Sequence, residues 1–300
     1  MWQTYARPLT AALEATGIGA EIVLSADAPE TVDYIIYAPG GGLEDFTPFS
    51  RAKAVLSLWA GVDRIAANPT LTQSLIRLVD PEGLTQGMVE WVTGHVLRHH
   101  LGMDRHILNP DHRWDQTPPP LAGDRHVTVL GLGQLGAACA RALSGIGFQV
   151  TGWSRSKKSI PGIVCADGID GLKSVLETAE IAILLLPRTP ATEGLLNAQR
   201  LGWMPRGAVI LNPGRGALID DAALLAALDS GRIGHATLDV FHTEPLPPAH
   251  PFWSHPRVTV TPHIAAATRP ETAARAVVRA MAQIEAGATP HHLVDRAQGY

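Results

Sequence analysis

The 300-residue sequence is poor in cysteine, in excess charge and in long apolar runs, and each shortage removes a class of function. Cys139 and Cys165 are its two cysteines, each alone within a segment of α/β pattern. A disulfide framework or a cysteine-based metal site therefore has no support, and a reducing cytoplasm is the expected compartment. Net charge is −4, from 24 basic and 28 acidic side chains. No basic stripe stands out, so neither nucleic acid nor an anionic membrane is expected as a partner. The longest purely aliphatic run, Ile181–Leu186, is far too short to cross a bilayer. Met1 to Ala15 has no basic region followed by an apolar one, so it does not read as a signal peptide. Solenoid repeats and low-complexity tracts are missing too. What is present suits a soluble, packed chain long enough for two domains: 46% hydrophobic and 17% charged residues.

The middle of the chain alternates two periodicities. Val127–Gly131, Phe148–Trp153, Ile181–Leu186, Ala208–Leu211, His235–Val240 and Val258–Thr261 read as strands. Helical Ala137–Ser144 and Asp221–Leu228 lie between them, the latter stopping near Gly231. Strands separated by helices of this length imply a parallel sheet covered on both faces. The first part of the chain repeats the pattern more weakly. Glu21–Leu24, Tyr34–Tyr37 and Ala54–Leu58 are strand candidates, and Pro8–Ala15 a helix. A long helix over Leu84–Arg98 is followed by an irregular stretch ending in Pro118-Pro119-Pro120, a linker or extended arm. One more helix, about Glu271–Glu285, precedes a polar tail.

The strongest local signal is Gly131-Leu132-Gly133-Gln134-Leu135-Gly136. Alone the pattern is weak, but here it follows a strand directly and opens a helix, which is the context a dinucleotide pyrophosphate requires. Gly131 permits the tight turn, Gly133 lets the phosphates approach the backbone, and Gly136 lets helix and strand meet closely. A site for NAD places a carboxylate about 20 residues further on, at the end of the next strand. Here that strand ends in Gly152-Trp153-Ser154-Arg155-Ser156-Lys157-Lys158. An acid would repel a ribose 2′-phosphate, whereas Arg155 with Ser154 and Ser156 attracts one, so NADPH is expected as the preferred cofactor with NADH possible.

Three later strands end in chemically capable residues: Arg215 in Asn212-Pro213-Gly214-Arg215-Gly216, Glu244 in Asp239-Val240-Phe241-His242-Thr243-Glu244, and His263 in Thr261-Pro262-His263. Ligands bind at the carboxyl edge of an open α/β sheet. A guanidinium there can bind a carboxylate and polarise a ketone, an imidazolium can supply a proton, and a carboxylate behind the imidazole can hold it in place. Each has a bland alternative: Arg215 as a loop residue, Glu244 as a helix-terminal acid, His263 as a core histidine. Their shared location shifts the balance.

In these motifs the chain resembles the D-isomer-specific 2-hydroxyacid dehydrogenases. Leu185–Asn197 (LLPRTPATEGLLN), Asn212–Asp220 (NPGRGALID), Leu238–Pro247 (LDVFHTEPLP) and Thr261–Ala266 (TPHIAA) follow the glycine loop in the family's order. Within the family it is most similar to bacterial glyoxylate/hydroxypyruvate reductases, through Trp153-Ser154-Arg155-Ser156, His255–Pro270 and the tail Val294–Tyr300. The resemblance implies an α/β fold: a Rossmann-type doubly wound parallel sheet domain (93–267) plus a smaller, flavodoxin-like α/β substrate domain (1–92 and 268–300). It implies Arg215, Glu244 and His263 as the catalytic set. Trp59, Gly61 and Val62 would join Arg215 in binding substrate, the two backbone N–H groups meeting its carboxylate. Pro187, Arg188, Pro213, Gly214, Asp239, His263 and Ala265 would join the glycine loop and the Ser154–Ser156 turn in holding cofactor, with no metal. It further implies reduction of glyoxylate and hydroxypyruvate, and a homodimer using an arm around Asp111–Pro120. A bulkier 2-oxo acid, or a dinucleotide-binding sensor with little turnover, are the competing expectations. Other features look inert: His99 and His100, adjacent on a helix, make a poor metal pair, and His291 and His292 lie near a polar terminus. Family members begin on a strand, where this chain reads almost at once as helix. The expectation is a native start upstream of Met1 or, failing that, an unpaired sheet edge.

Overall fold

The computed structural model describes residues 2–290 and 292–296; Met1, His291 and the tail's Ala297–Tyr300 lie outside the described residues. In chain order the first elements are α1 (Trp2–Thr16), β1 (Tyr34–Tyr37), β2 (Ala54–Ser57), α2 (Asp63–Ala66) and β3 (Ser74–Ile76). There follow α3 (Gln86–His100), α4 (Asp104–Ile107), β4 (His126–Leu130), α5 (Gln134–Ile146), β5 (Gln149–Ser154), β6 (Val164–Asp167) and α6 (Gly168–Thr178). The last are β7 (Ile181–Leu184), α7 (Ala198–Trp203), β8 (Ala208–Asn212), α8 (Asp221–Asp229), β9 (Ile233–Leu238), β10 (Val258–Val260) and α9 (Pro270–Glu285). Two compact units result, Met1–Leu84 with Ala267–Tyr300, and Thr85–Ala266. The expected boundary at 92/93 falls inside α3, whose whole length belongs to the second unit. No described helix is long and apolar enough to cross a membrane.

The first unit holds a three-stranded parallel sheet in the order β1-β2-β3. Its core gathers Ile35, Phe46, Val55, Ile65, Leu71, Leu75 and Val294. Helices α1 and α9 pack together, with Leu9 and Leu13 buried on one and Val277 and Met281 on the other. Asp80, almost fully buried, ties two distant stretches of this unit: its carboxylate accepts hydrogen bonds from the Glu82, Gly83 and Leu84 amides and from the Thr272 hydroxyl. Glu21–Leu24, expected as a strand, is not one: no ladder reaches it, and Val23 and Leu24 stand exposed. Among the described residues no strand pairs with the outer edge of β1. The short strand β3 gave no periodic signal in the sequence.

The second unit holds a seven-stranded parallel sheet in the order β10-β9-β8-β7-β4-β5-β6. Alternation along the strands splits its core into two layers, as a period of two demands. Leu130, Ala182, Leu184 and Ile210 face one way, with Leu172, Leu176, Leu201, Leu224 and Leu228 from α6, α7 and α8. Val127, Val129, Ile181, Ile183 and Leu211 face the other, with Met88, Val92, Val96, Cys139 and Leu143 from α3 and α5. Strand β7 is buried on both faces and can be nothing but aliphatic. The order reverses between β4 and β7, and at that switch point the crevice for a ligand opens at the strands' carboxyl ends.

On the α3 side of β9 and β10 the interior turns polar. His99 Nε2 lies 2.8 Å from Thr237 Oγ1 and His235 Nε2 lies 2.9 Å from Thr259 Oγ1, the two rings stacking with centroids 4.8 Å apart. Arg98 donates to Thr259 and holds Asp104 through two nitrogens. Burial first, then the charges of Arg98 and neighbouring imidazoles, push His99 down to about 3 and His235 down to about 4, with Asp104 opposing. An unfolded chain protonates these rings below the ordinary value of 6.5, whereas the folded unit does not until the lowered values are reached. Their effect is thus absent above 6.5, and stability declines as pH falls through the window beneath it. We expect the Tm to drop by about 5 °C or more between pH 7 and pH 4.5. His99→Gln and His235→Gln should flatten that slope in thermal melts; an unchanged slope in both would show that other groups set it.

Candidate active site

Each glycine of the loop after β4 has a separate steric reason. Gly131 adopts φ +106°, and a Cβ there would overlap the Leu185 carbonyl. At Gly136 a Cβ would overlap the Gly131 carbonyl oxygen, so only hydrogen lets α5 start this close to β4. Gly133 has no atom within 4 Å of a would-be Cβ and no side chain caps the first turn of α5. Open space before a run of uncapped N–H groups is a cradle that fits a pyrophosphate.

Beyond β5 the expected basic turn is present. Ser154 is buried, its hydroxyl donating to the Ser156 carbonyl at 2.7 Å, while Arg155, Ser156, Lys157 and Lys158 are exposed. One acid comes near by register rather than by sequence: Asp167, at the end of β6, is paired with Ser154. Across the switch point Thr192 Oγ1 donates to the Pro187 carbonyl and fixes the turn after β7, where Arg188 pairs with Glu193 at 3.0 Å.

Strands β8, β9 and β10 are neighbours, about 4.8 Å apart, and end on the same edge. Buried Asn212 shapes the first of their loops, accepting from the Gly214 amide and donating to the Arg215 carbonyl at 2.9 Å. Gly214 has the Leu184 carbonyl against its α-carbon, and Arg215, half-buried, donates from Nη1 to the Gly214 carbonyl at 2.7 Å. In the second and third loops Glu244 Oε2 lies 2.7 Å from His263 Nδ1, while Glu244 Oε1 accepts from the Phe241 amide at 2.9 Å. With Nδ1–H directed at a carboxylate, Nε2 is left to exchange a proton. His263 sits at φ +55°, a strained conformation for a side chain with a Cβ. It is held there by Asp239, which is fully buried. The Asp239 carbonyl accepts from the His263 amide, and its carboxylate accepts from the Ile264 and Ala265 amides and from the Thr261 hydroxyl.

Trp59, Gly61 and Val62 belong to the first unit, together in the loop between β2 and α2. The Ser57 hydroxyl donates to the Trp59 carbonyl at 2.9 Å and accepts from its amide at 3.1 Å, while the Trp59 ring is 43% exposed and Val62 is buried. Among the described residues no cluster of His, Cys, Asp or Glu could hold a metal ion.

Residues 93–265 match the family described as D-isomer specific 2-hydroxyacid dehydrogenase, NAD binding domain. The chain belongs to the D-isomer-specific 2-hydroxyacid dehydrogenases. Within that family it is 42% identical over 258 residues to glyoxylate/hydroxypyruvate reductase A of Serratia proteamaculans strain 568, covering 83% of this chain and 82% of the relative. It also matches a D-isomer specific 2-hydroxyacid dehydrogenase of Xanthobacter autotrophicus Py2, crystallised with NADPH and MES, at 40% identity and a TM-score of 0.90, over 100% of this chain and 96% of that one. A third similarity is to the NADPH-dependent glyoxylate/hydroxypyruvate reductase of Sinorhizobium meliloti, crystallised with NADP and sulfate: 36% identity, TM-score 0.86, covering 98% and 96%.

For this 2-hydroxyacid dehydrogenase, reading the sequence missed the residues that hold the site rather than form it. Asn212 and the carboxylate anchor of Asp239 lie inside the quoted motifs, yet their task shows only once strands β8 to β10 are side by side. Asp239→Asn turns one acceptor into a donor facing an N–H or O–H. Removing a buried acceptor costs about 1–3 kcal/mol. We expect a loss of about that size in urea denaturation, together with a fall in turnover as the His263 loop loosens. Unchanged stability would show that Asp239 does not anchor the loop.

Proposed function

We propose that this dehydrogenase works as an NADPH-dependent reductase of small 2-oxo acids, taking glyoxylate to glycolate and hydroxypyruvate to D-glycerate. The observation that carries the reading is the 2.7 Å pair of Glu244 and His263, on a strand end adjacent to that of Arg215. The named relatives supply the substrate class: those from Serratia and Sinorhizobium are glyoxylate/hydroxypyruvate reductases, and the latter is NADPH-dependent.

The cofactor, when bound, supplies the hydride. Gly131, Gly133, Gln134, Leu135 and Gly136 would hold its pyrophosphate, and Ser154, Arg155 and Ser156 its 2′-phosphate. Pro187, Arg188, Pro213, Gly214, Asp239 and Ala265 would line the rest of its path. Arg215 binds the substrate carboxylate and draws charge from the keto oxygen. His263 gives its Nε2 proton to the alkoxide oxygen, and Glu244, on Nδ1, orients the ring and steadies the imidazolium. In the first unit, the loop between β2 and α2 would offer the Gly61 and Val62 backbone N–H groups to a carboxylate, with the exposed Trp59 beside them.

The protein works as a homodimer in the cytoplasm in this reading. Between α4 and β4 the chain exposes Ile107, Leu108, Trp114 (88% exposed) and Leu121, more large apolar surface than one extended segment leaves in water without a partner. Two free cysteines suit a reducing compartment.

Steady-state oxidation of NADPH and NADH with glyoxylate, hydroxypyruvate and pyruvate tests the assignment. Faster turnover of NADPH with the first two acids is the expected result; no turnover with any of them, NADPH still binding, would overturn it. Arg155→Ala should weaken NADPH by about tenfold or more, the worth of a charge-assisted hydrogen bond, and leave NADH nearly unchanged. His263→Ala should lower kcat by about 10²–10⁴ while NADPH binds as before; loss of cofactor binding instead would remove His263 from the proton-donor role.

A further inference from the structure

Two loops of the second unit approach each other more closely than any side chain would allow. A Cβ on Gly216 would overlap the Phe241 carbonyl and the His242 amide, so the turn that follows Arg215 lies directly against the loop that carries Glu244. Backbone proximity by itself supplies no restraint. Here a side-chain cluster supplies it. His242 Nε2 lies 3.0 Å from the Ile219 carbonyl and 3.7 Å from Asp221 Oδ1, and His250 Nε2 lies 3.7 Å from Asp221 Oδ2. The second and third of these are ion-pair rather than hydrogen-bond distances.

The proton positions follow from the remaining contacts. His250 Nδ1 accepts from the Phe252 amide at 3.3 Å, so a neutral ring carries its proton on Nε2, towards Asp221. His242 Nε2 faces two acceptors, the Ile219 carbonyl and Asp221, and must also be the protonated nitrogen. Each imidazole therefore turns an N–H dipole to one carboxylate, whether or not it also carries a charge. The ordinary task of an acid at this place, capping α8, is already taken: Asp220 accepts from the Ala223 amide at 3.0 Å. Asp221 is half-buried, and burial first, then the neighbouring Asp220, raises its carboxyl above the ordinary value, with His242 and His250 pulling the other way. A carboxylate in that setting is held by its partners.

We propose that Asp221 is a positioning residue: set between His242 and His250 at the start of α8, just after the turn that follows Arg215, it draws both ends of the loop bearing Glu244 to one point, and so fixes where Glu244 meets His263. Glu244 lies in the span between the two histidines. Its Oε1 is spent on the Phe241 amide, next to the first fastening, and its Oε2 on His263. Asp221 touches no reacting group and acts through that span. The inference rests on the roles proposed above for Glu244 and His263.

A double-mutant cycle on kcat with glyoxylate and saturating NADPH tests it, with Tm and the NADPH Kd read alongside. Asp221→Ala is expected to lower kcat about tenfold, the scale of a small misplacement of a catalytic group, with NADPH Kd within about twofold. In an E244A background the same change should lower kcat by less than about twofold, because the contact it positions is already gone. An equal loss in both backgrounds means a merely structural effect and overturns the proposal, as does an unchanged kcat in the single variant. If E244A itself turns over like the parent, the role of Glu244 fails and the proposal with it; if E244A is crippled and D221A is not, the proposal fails alone. Should D221A not fold, His242→Ala, which removes an exposed ring, runs the same cycle with the same expected outcomes.

Discussion

Asp239 is a carboxylate with no solvent exposure at the carboxyl end of a strand, and the chemistry of this edge depends on how that burial is compensated. A carboxylate taken out of water costs several kcal/mol unless donors surround it. Three donors do so here, all from one stretch of chain: the Thr261 hydroxyl and the Ile264 and Ala265 amides. The backbone of residues 261–265 is thereby wrapped around a single side chain. His263, in the middle, takes a left-handed conformation that would otherwise revert, and its ring is delivered to Glu244. Strain at His263 is thus balanced by charge-assisted hydrogen bonds on either side of it.

The same edge shows how parallel strands divide labour. Along β7 and β8 every residue is aliphatic or small until the last, since both faces are covered by helices. At the carboxyl ends of these strands polar groups appear at once: Asn212 closes β8, Asp239 follows β9 and Thr261 follows β10. Each shapes the loop that begins at that point. Arg215, Glu244 and His263 stand two to five residues further along, on backbone already shaped by the first polar residue.

This division explains what could be read from sequence. Strands β7 and β8 were legible because double burial leaves an aliphatic run, and Arg215, Glu244 and His263 stood out because each follows a strand pattern. Strand β6 was not: it is an edge strand with no fully buried residue, so nothing in Val164–Asp167 sets it apart from a loop. Glu21–Leu24 is the opposite case, β-branched and aliphatic in composition yet with no neighbour to pair with. A strand is a property of two segments, and local composition reports on one. Asp221, His242 and His250 were illegible for a related reason. Twenty residues lie between the first two, and their meeting goes with the close approach at Gly216.

An acid stands beside the basic turn at the end of β5. Asp167 is aligned with Ser154 in register, a neighbour hidden in the sequence because 12 residues lie between them. Its backbone begins α6, where an acid is favoured by the helix dipole. Against it stand Arg155, Lys157 and Lys158, all exposed on the neighbouring turn. A guanidinium can take two phosphate oxygens at once, whereas the acid offers one charge at the far strand.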